Sequence, residues 1–191
     1  MQRCDWCGDD PLYVAYHDEE WGVPLRNEQS MFEFLVLEGA QAGLAWITVL
    51  RKRAGYRQVF DDFDVERVAA YSDDDLAAKL QDPRIIRNRL KVQSARQNAR
   101  ATLDLYESGA TLLDYFWGFV DGVPIQNHWR TLSEVPAETD LSRAISKDLK
   151  KRGFNFVGPT IVYAHMQATG MVNDHLITCP RHAACAALAQ P

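Results

Sequence analysis

The chain has 191 residues, 47% of them hydrophobic and 25% charged, the balance of an ordinary soluble globular protein; a disordered or fibrous chain is excluded. Lysines and arginines number 21 against 26 acids, so the net charge of −5 draws the protein neither to nucleic acid nor to a membrane, and any nucleic-acid site has to be a local basic patch. One domain is expected at this length, with a core large enough to need no disulfide framework.

Met1-Gln2-Arg3-Cys4-Asp5 leads into no apolar stretch and is expected to be no secretory signal. Leu12–Ala15 holds the one short strand pattern, and no hairpin turns accompany it. Elsewhere the periodicity is helical. A first helix is expected over Ser30–Glu38, with Ser30 as N-cap and Phe32, Phe34, Leu35 and Leu37 apolar, and it resumes past Gly39 and Gly43 at Trp46, Ile47, Val49 and Leu50. Ser72 with Asp75 marks a capped helix carrying Leu76, Ala77 and Leu80 and ending near Pro83. A long helix is expected over Ile86–Tyr106, then helices at Leu112–Val120, at Leu141–Arg152 with Asp140 as cap, and at Thr160–Thr169. Gly153–Asn173 is uncharged, but Asn155, Pro159, His165 and Gln167 make it too polar and broken for a bilayer helix, so a soluble, cytoplasmic protein is expected. The residues after His182 read as a tail.

Three constellations carry chemistry. All four cysteines lie near the termini, Cys4 and Cys7 at one end and Cys179 and Cys185 at the other, with His17, His175 and His182 in the same segments. Such segregation suggests a zinc site tying the termini together, because zinc takes four Cys or His ligands in a closed tetrahedron. Spacing alone does not choose four ligands among these seven, and ordinary core cysteines are the plain alternative. Second, Lys150–Thr160 runs from a basic helix end through the Gly153–Gly158 turn into another helix. Two helices so joined resemble a helix-hairpin-helix element, whose free amides face an anion, although a simple helix connection has the same signature. Between Arg84 and Arg100 six basic residues and no acid add a local charge that can track phosphates.

Third, Glu38 falls at an expected helix end, beside the negative pole of the dipole, a placement disfavoured by roughly 0.3–1 kcal/mol. Tyr13, Tyr16, Trp21 and Trp46 lie near it in sequence. Each alone reads as core; together with the acid they describe a pocket for a planar, electron-poor ligand. Gln41-Ala42-Gly43-Leu44 comes next, a loop able to offer a wedge that fills the space of an extruded base.

These residues, with Cys4, Trp6, Tyr16–Gly22, Leu37-Glu38-Gly39, Lys150–Gly158 and Val172-Asn173-Asp174-His175, resemble the bacterial DNA-3-methyladenine glycosylase I family over residues 2–180. The resemblance implies an all-α helix-hairpin-helix glycosylase fold over residues 1–182, in two helical lobes with zinc-stapled termini, before a tail at 183–191. It implies a monofunctional glycosylase of base-excision repair that flips out 3-methyladenine and hydrolyses its N-glycosidic bond. By the same resemblance Cys4, His17, His175 and Cys179 become ligands of a structural Zn2+, leaving Cys7, His182 and Cys185 unused. Glu38 becomes the catalytic residue, and Tyr16, Trp46, Trp21 and Tyr13 bind the base. Gln41, Gly43, Leu44, Gly153, Phe154, Val157, Gly158 and Thr160 meet DNA, with Gln41 or Leu44 as the wedge. The partner is alkylated double-stranded DNA, the product free 3-methyladenine, and the protein a monomer away from membranes. Where the wider superfamily carries a catalytic Asp, this chain has Asn173, with Asp174 next to it. No lysine lies in the pocket segments, so strand cleavage through an amine is not expected. Two competing readings are a zinc hydrolase using Glu38 or Asp174 on a metal-bound water, which needs an open coordination position, and a non-catalytic zinc-stapled nucleic-acid module.

Overall fold

Capping chemistry sets where the helices begin. In the computed structural model, which describes residues 2–189, Asp10 accepts hydrogen bonds from the Leu12 and Tyr13 amides and Pro11 fills the first turn of α1 (Pro11–Glu19). That start makes a helix of the segment expected as a possible strand at Leu12–Ala15. Helix α2 (Glu28–Gln41) is capped by Asn27, whose side chain accepts from the Ser30 amide, so it begins before the expected Ser30 and runs past Glu38. After α3 (Trp46–Leu50), α4 (Arg53–Val59) and α5 (Val65–Ala70) comes α6 (Asp73–Lys79), held by the expected reciprocal Ser72–Asp75 box. Asn88 starts the long α7 (Arg89–Glu107), and Thr111 with Asp114 starts α8 (Leu112–Gly118). For α9 (Asp140–Lys151) the cap is Thr139, not Asp140. Thr139 and Ser142 cap one another, and Asp140 moves into the first turn, where the dipole favours an acid. Then come α10 (Pro159–Ala168) and α11 (Pro180–Ala187).

Two differences from the all-helical expectation bear on the site. Strands β1 (Ile125–Gln126) and β2 (Val172–Asn173) pair in parallel, Ile125 opposite Val172 and Gln126 opposite Asn173. This two-residue ladder fixes the chain just before His175. The segment expected as a tail from residue 183 belongs largely to α11, and its Cys185 is buried.

Helix α2 lies at the centre. Its residues Met31–Ala40 are all buried, and it packs on α3, α7, α8 and α10. Two acids sit in that buried run. Glu33 is neutralised by Arg53 at 2.6 Å and Arg57 at 2.9 Å; Glu38 has no such partner. A buried acid normally requires one.

Four of the six side chains of the basic run on and before α7 have partners within the protein. Arg84 pairs with Asp82 and Gln58. Lys91 Nζ donates to the carbonyls of Ala40 and Ala42, Arg96 to that of Tyr71 and to Asp73, and Arg100 to that of Ala69. Three of these side chains therefore cover the C-terminal ends of α2 and α5, where orphan carbonyls attract cations. Among the described residues, Arg87 and Arg89 make no such bond. No helix of the described residues is long and apolar enough to cross a membrane.

Candidate active site

Of the seven end-segment candidates, four converge. Cys4, His17, His175 and Cys179 are buried, with one donor atom from each lying within 4.8 Å of all the others. Cys4 precedes a short 3-10 turn, His17 rides on α1, His175 lies just beyond β2, and Cys179 is the N-cap of α11. Cys4 Sγ lies 3.6 Å from His175 Nδ1, and Cys179 Sγ lies 3.7 Å from His17 Nε2 and 3.9 Å from His175 Nδ1. A tetrahedral ion with the usual zinc bond lengths would separate sulfur and nitrogen ligands by roughly 3.6 Å. The far nitrogens are held as metal-bound imidazoles require: His17 Nδ1 meets Asp18 at 2.7 Å, and His175 Nε2 meets the Trp21 carbonyl at 2.8 Å. Asp18 is in turn paired with Arg3, and the Arg3 bond first, with His17 adding, lowers its carboxyl to about 2. The donor set thus fits a metal ion and closes around it. Cys7, His182 and Cys185 lie elsewhere, bonding respectively with the Cys4 carbonyl, the Asn127 carbonyl and Arg181.

Next to this cluster a cavity of about 210 Å³ opens between two walls. Trp6, Tyr13, Tyr16, Trp21, Glu38, Gln41 and Trp46 make one wall, and Leu132, Val135, Ala164, Gln167 and Asp174 the other. All four aromatic residues expected there are present. Tyr16 and Trp46 approach with ring centroids 5.4 Å apart, Trp6 and Trp21 at 4.9 Å, and Trp6 and Tyr13 at 5.0 Å. The aromatic wall also leans on this cysteine–histidine cluster, for Trp21 meets the His175 ring at 4.6 Å and Trp6 meets that of His17 at 5.3 Å.

Glu38 is 3% exposed and its Oε2 has no hydrogen-bond partner; burial alone pushes its carboxyl up to about 8. The indole Nε1 atoms of Trp46 and Trp6 are likewise buried without partners. Three of the seven unpartnered buried side-chain atoms among the described residues thus belong to one aromatic cavity, where they leave an acceptor and two donors for a ligand. A planar, positively charged heterocycle fits this set, since rings stack on it and a carboxylate favours a cation.

The two acid-position residues take different places. Asn173 is buried away from the cavity wall, its Nδ2 donating to Gln126 Oε1 and the His182 carbonyl. Asp174 does face the cavity, yet its oxygens accept four hydrogen bonds, from Asn127, Trp129, Tyr163 and Gln167 at 2.6–2.8 Å. A carboxylate has about four lone-pair sites, so Asp174 is saturated and poorly placed to take a proton from water.

The hairpin between α9 and α10 is clamped from behind. Asn98 of α7 accepts from the Asn155 amide and donates to its carbonyl, while Ser146 donates to the Val157 carbonyl. Phe154 and Val157, expected at the DNA, are buried, so their side chains are not presented to a partner. Gly158 caps α10, a Cβ there would meet nothing within 4 Å, and Thr160 is exposed in the first turn. Within the described residues no backbone carbonyl takes the amides of Val157, Gly158 or Thr160. A helix start with free amides and an open approach suits an anion. The hairpin also touches the site: a Cβ on Gly39 would stand 3.2 Å from Phe156 Cβ. Gly39→Ala sets about 1 kcal/mol of gained helix propensity against about 1–3 kcal/mol of overpacking on Phe156, so a net destabilisation of at most about 2 kcal/mol is expected. Urea unfolding would measure it, and a variant more stable than wild type would mean that the hairpin yields.

Sequence reasoning gave no site role to Trp6, Gln167, Leu132 and Val135. Trp6 had a signal in its place between two cysteines, and Gln167 in being polar within an uncharged stretch. Leu132 and Val135 had none, because they enter the wall from a loop remote in sequence.

A family model described as methyladenine glycosylase matches residues 6–182. The DNA-3-methyladenine glycosylase 1 of Escherichia coli (strain K12) is 51% identical over 179 residues, which cover 94% of this chain and 96% of that protein. A crystal structure of a 3-methyladenine DNA glycosylase I superposes with a TM-score of 0.92 at 51% identity, covering 94% of this chain and 98% of the other. A variant of a 3-methyladenine DNA glycosylase I in complex with 3-methyladenine superposes with a TM-score of 0.91 at 33% identity, covering 94% and 97%.

Proposed function

The chain belongs to the methyladenine glycosylase family, and on that premise we propose how its residues excise 3-methyladenine from alkylated DNA in base-excision repair. The chain is an enzyme, a DNA glycosylase. The amides of Val157, Gly158 and Thr160, with the Gly153 turn, hold a backbone phosphate of the duplex. Gln41 or Leu44, carried by the turn at Gly43, fills the gap as the damaged nucleotide swings out. Its base stacks among Tyr16, Trp46, Trp21 and Tyr13, and the Glu38 carboxylate takes a hydrogen bond from the cationic ring.

Methylation at N3 has already made the adenine a cation. The C1′–N9 bond breaks with its electron pair going to the base, which leaves neutral; water adds to C1′ and gives its proton to solvent. No side chain need act as general base, in keeping with Asn173 and the saturated Asp174. The site serves instead to bind the cation, exclude water from the ring and favour the transition state electrostatically. We assign a structural Zn2+ to Cys4, His17, His175 and Cys179, which hold the termini and the aromatic wall; the closed donor set argues against a metal-bound attacking water. One glycosylase domain over 1–182, a monomeric state and a cytoplasmic location complete the reading.

The observation that carries it is the unpartnered, buried Glu38 oxygen within an aromatic cavity. Incubation with methylated duplex DNA, followed by mass spectrometry of released bases, is expected to yield 3-methyladenine and no uracil from a uracil-containing duplex. No release from folded, metal-loaded protein would overturn the proposal. A cation beside Glu38 also lowers its pKa from about 8. Capture of the lesion at pH 7 is therefore expected to release a proton, read by calorimetry in buffers of different ionisation enthalpy; heat independent of buffer would contradict the assigned contact.

A further inference from the structure

Lys91 occupies a position that its own helix disfavours. It lies in the first turn of α7, whose amides point a positive pole at it. Its ammonium is partly buried, burial lowers its pKa, and no carboxylate is bonded to it. The partners it does have are two carbonyls, those of Ala40 and Ala42, each 2.7 Å from Nζ. These belong to the last turn and the end of α2, on either side of Gln41. A cation that is badly placed for its own helix is thus well placed for the C-terminal pole of another.

The Lys91 grip holds the base of the turn Gln41–Leu44. The Leu44 amide closes this turn onto the Gln41 carbonyl, and Gly43 takes φ +76°, a left-handed conformation that only glycine adopts without strain. The turn presents Leu44 to solvent, 39% exposed, while Gln41 faces the base cavity. An apolar side chain at the tip of a tight loop has no folding role, and a wedge forced into a base stack has to resist being pushed back. The three protons of an ammonium are suited to tying two carbonyls together.

We propose that Lys91 is a positioning residue, which locks the Gln41–Leu44 turn against α7 so that the loop enters the duplex as a rigid wedge. This rests on the glycosylase reading above. Lys91 acts on extrusion of the base and not on its capture, because it does not line the base cavity and its ammonium is spent on the Ala40 and Ala42 carbonyls.

The test separates those two steps. Lys91→Met is expected to lower single-turnover excision from methylated duplex DNA roughly tenfold to a hundredfold, the scale of a small misplacement of a positioning group. The affinity for free 3-methyladenine, measured by calorimetry, is expected to stay at the wild-type value, since the free base needs no wedge. Lys91→Arg keeps the charge but replaces the compact ammonium by a planar fork. It is expected to lose part of the duplex activity with the same free-base affinity, and it serves if Lys91→Met does not fold. Duplex excision unchanged in the variants would overturn the proposal. So would parallel losses of excision and free-base affinity, which would make Lys91 a support of the pocket as a whole. Wild-type protein that releases no base from duplex DNA would instead sink the glycosylase reading, a separately visible result.

Discussion

Glu38→Gln is expected to reduce excision of 3-methyladenine by on the order of 10²–10³-fold, the loss incurred when one member of a buried charge pair is neutralised. The substitution keeps shape and one acceptor, so stacking on Tyr16 and Trp46 survives while the charge opposite the cationic ring is gone. The same change should stabilise the free protein. Glu38 has a folded-state pKa of about 8 against an ordinary value of 4.5. Below pH 4.5 both states carry the proton and the group contributes nothing to the pH dependence. From there to about pH 8 the unfolded chain gives up the proton while the folded one retains it, so stability falls as pH rises. At pH 7 the accumulated loss is on the order of 3 kcal/mol, from 7 − 4.5 = 2.5 pH units. Glutamine has no proton to lose and escapes it. Urea unfolding of both proteins at pH 4.5 and pH 7.5 would show the two curves separating with pH; a variant less stable than wild type at the higher pH would mean that Glu38 has a stabilising partner in solution. An acid that costs stability and sits in the cavity is what a binding site demands of a fold.

Metal removal is expected to have the largest effect on stability. Structural zinc in small sites contributes an apparent free energy of about 10 kcal/mol or more near neutral pH, comparable to the roughly 5–15 kcal/mol of a whole domain. Here the four donors link residue 4 to residue 179 and buttress Trp6 and Trp21 from behind. Chelation, or Cys4→Ser, should therefore lower the melting temperature sharply and remove excision in proportion to the folded fraction. Calorimetric melting run beside the base-release assay decides the point. Stripped protein that stays folded but is inactive would assign the metal a chemical step. X-ray absorption should find two sulfur and two nitrogen ligands on zinc; a coordinated water would reopen the hydrolase reading.

Much of the helical fold was legible because its signals are local. The Ser72–Asp75 box, the Gly153 turn and the apolar runs on α2 and α10 act within a few residues of themselves. Caps misread by a few residues, Ser30 for Asn27 and Asp140 for Thr139, arose where two good capping residues stand close together. The β1–β2 ladder was not legible, since two residues paired with two others 47 positions away leave no period in either segment. The aromatic wall with Glu38 was readable because its members come mostly from α1, α2 and α3, contiguous stretches of chain. Its far side was not, as Leu132 and Val135 arrive from a remote loop and Gln167 from α10.

By itself the sequence determined α2, α3 and α6 to α10, and the side chains that bring chemistry, because capping, turn geometry and periodicity act between near neighbours. Only the tertiary structure decided among the seven thiols and imidazoles, by folding α1 and the chain beyond β2 so that four donors meet. It alone also turned Lys91, Arg96 and Arg100 inward, onto carbonyls at the ends of α2 and α5. Those carbonyls belong to the backbone, which every residue shares, so the acceptors that claim a basic side chain are created by the packing of helices and leave no mark in the order of residues.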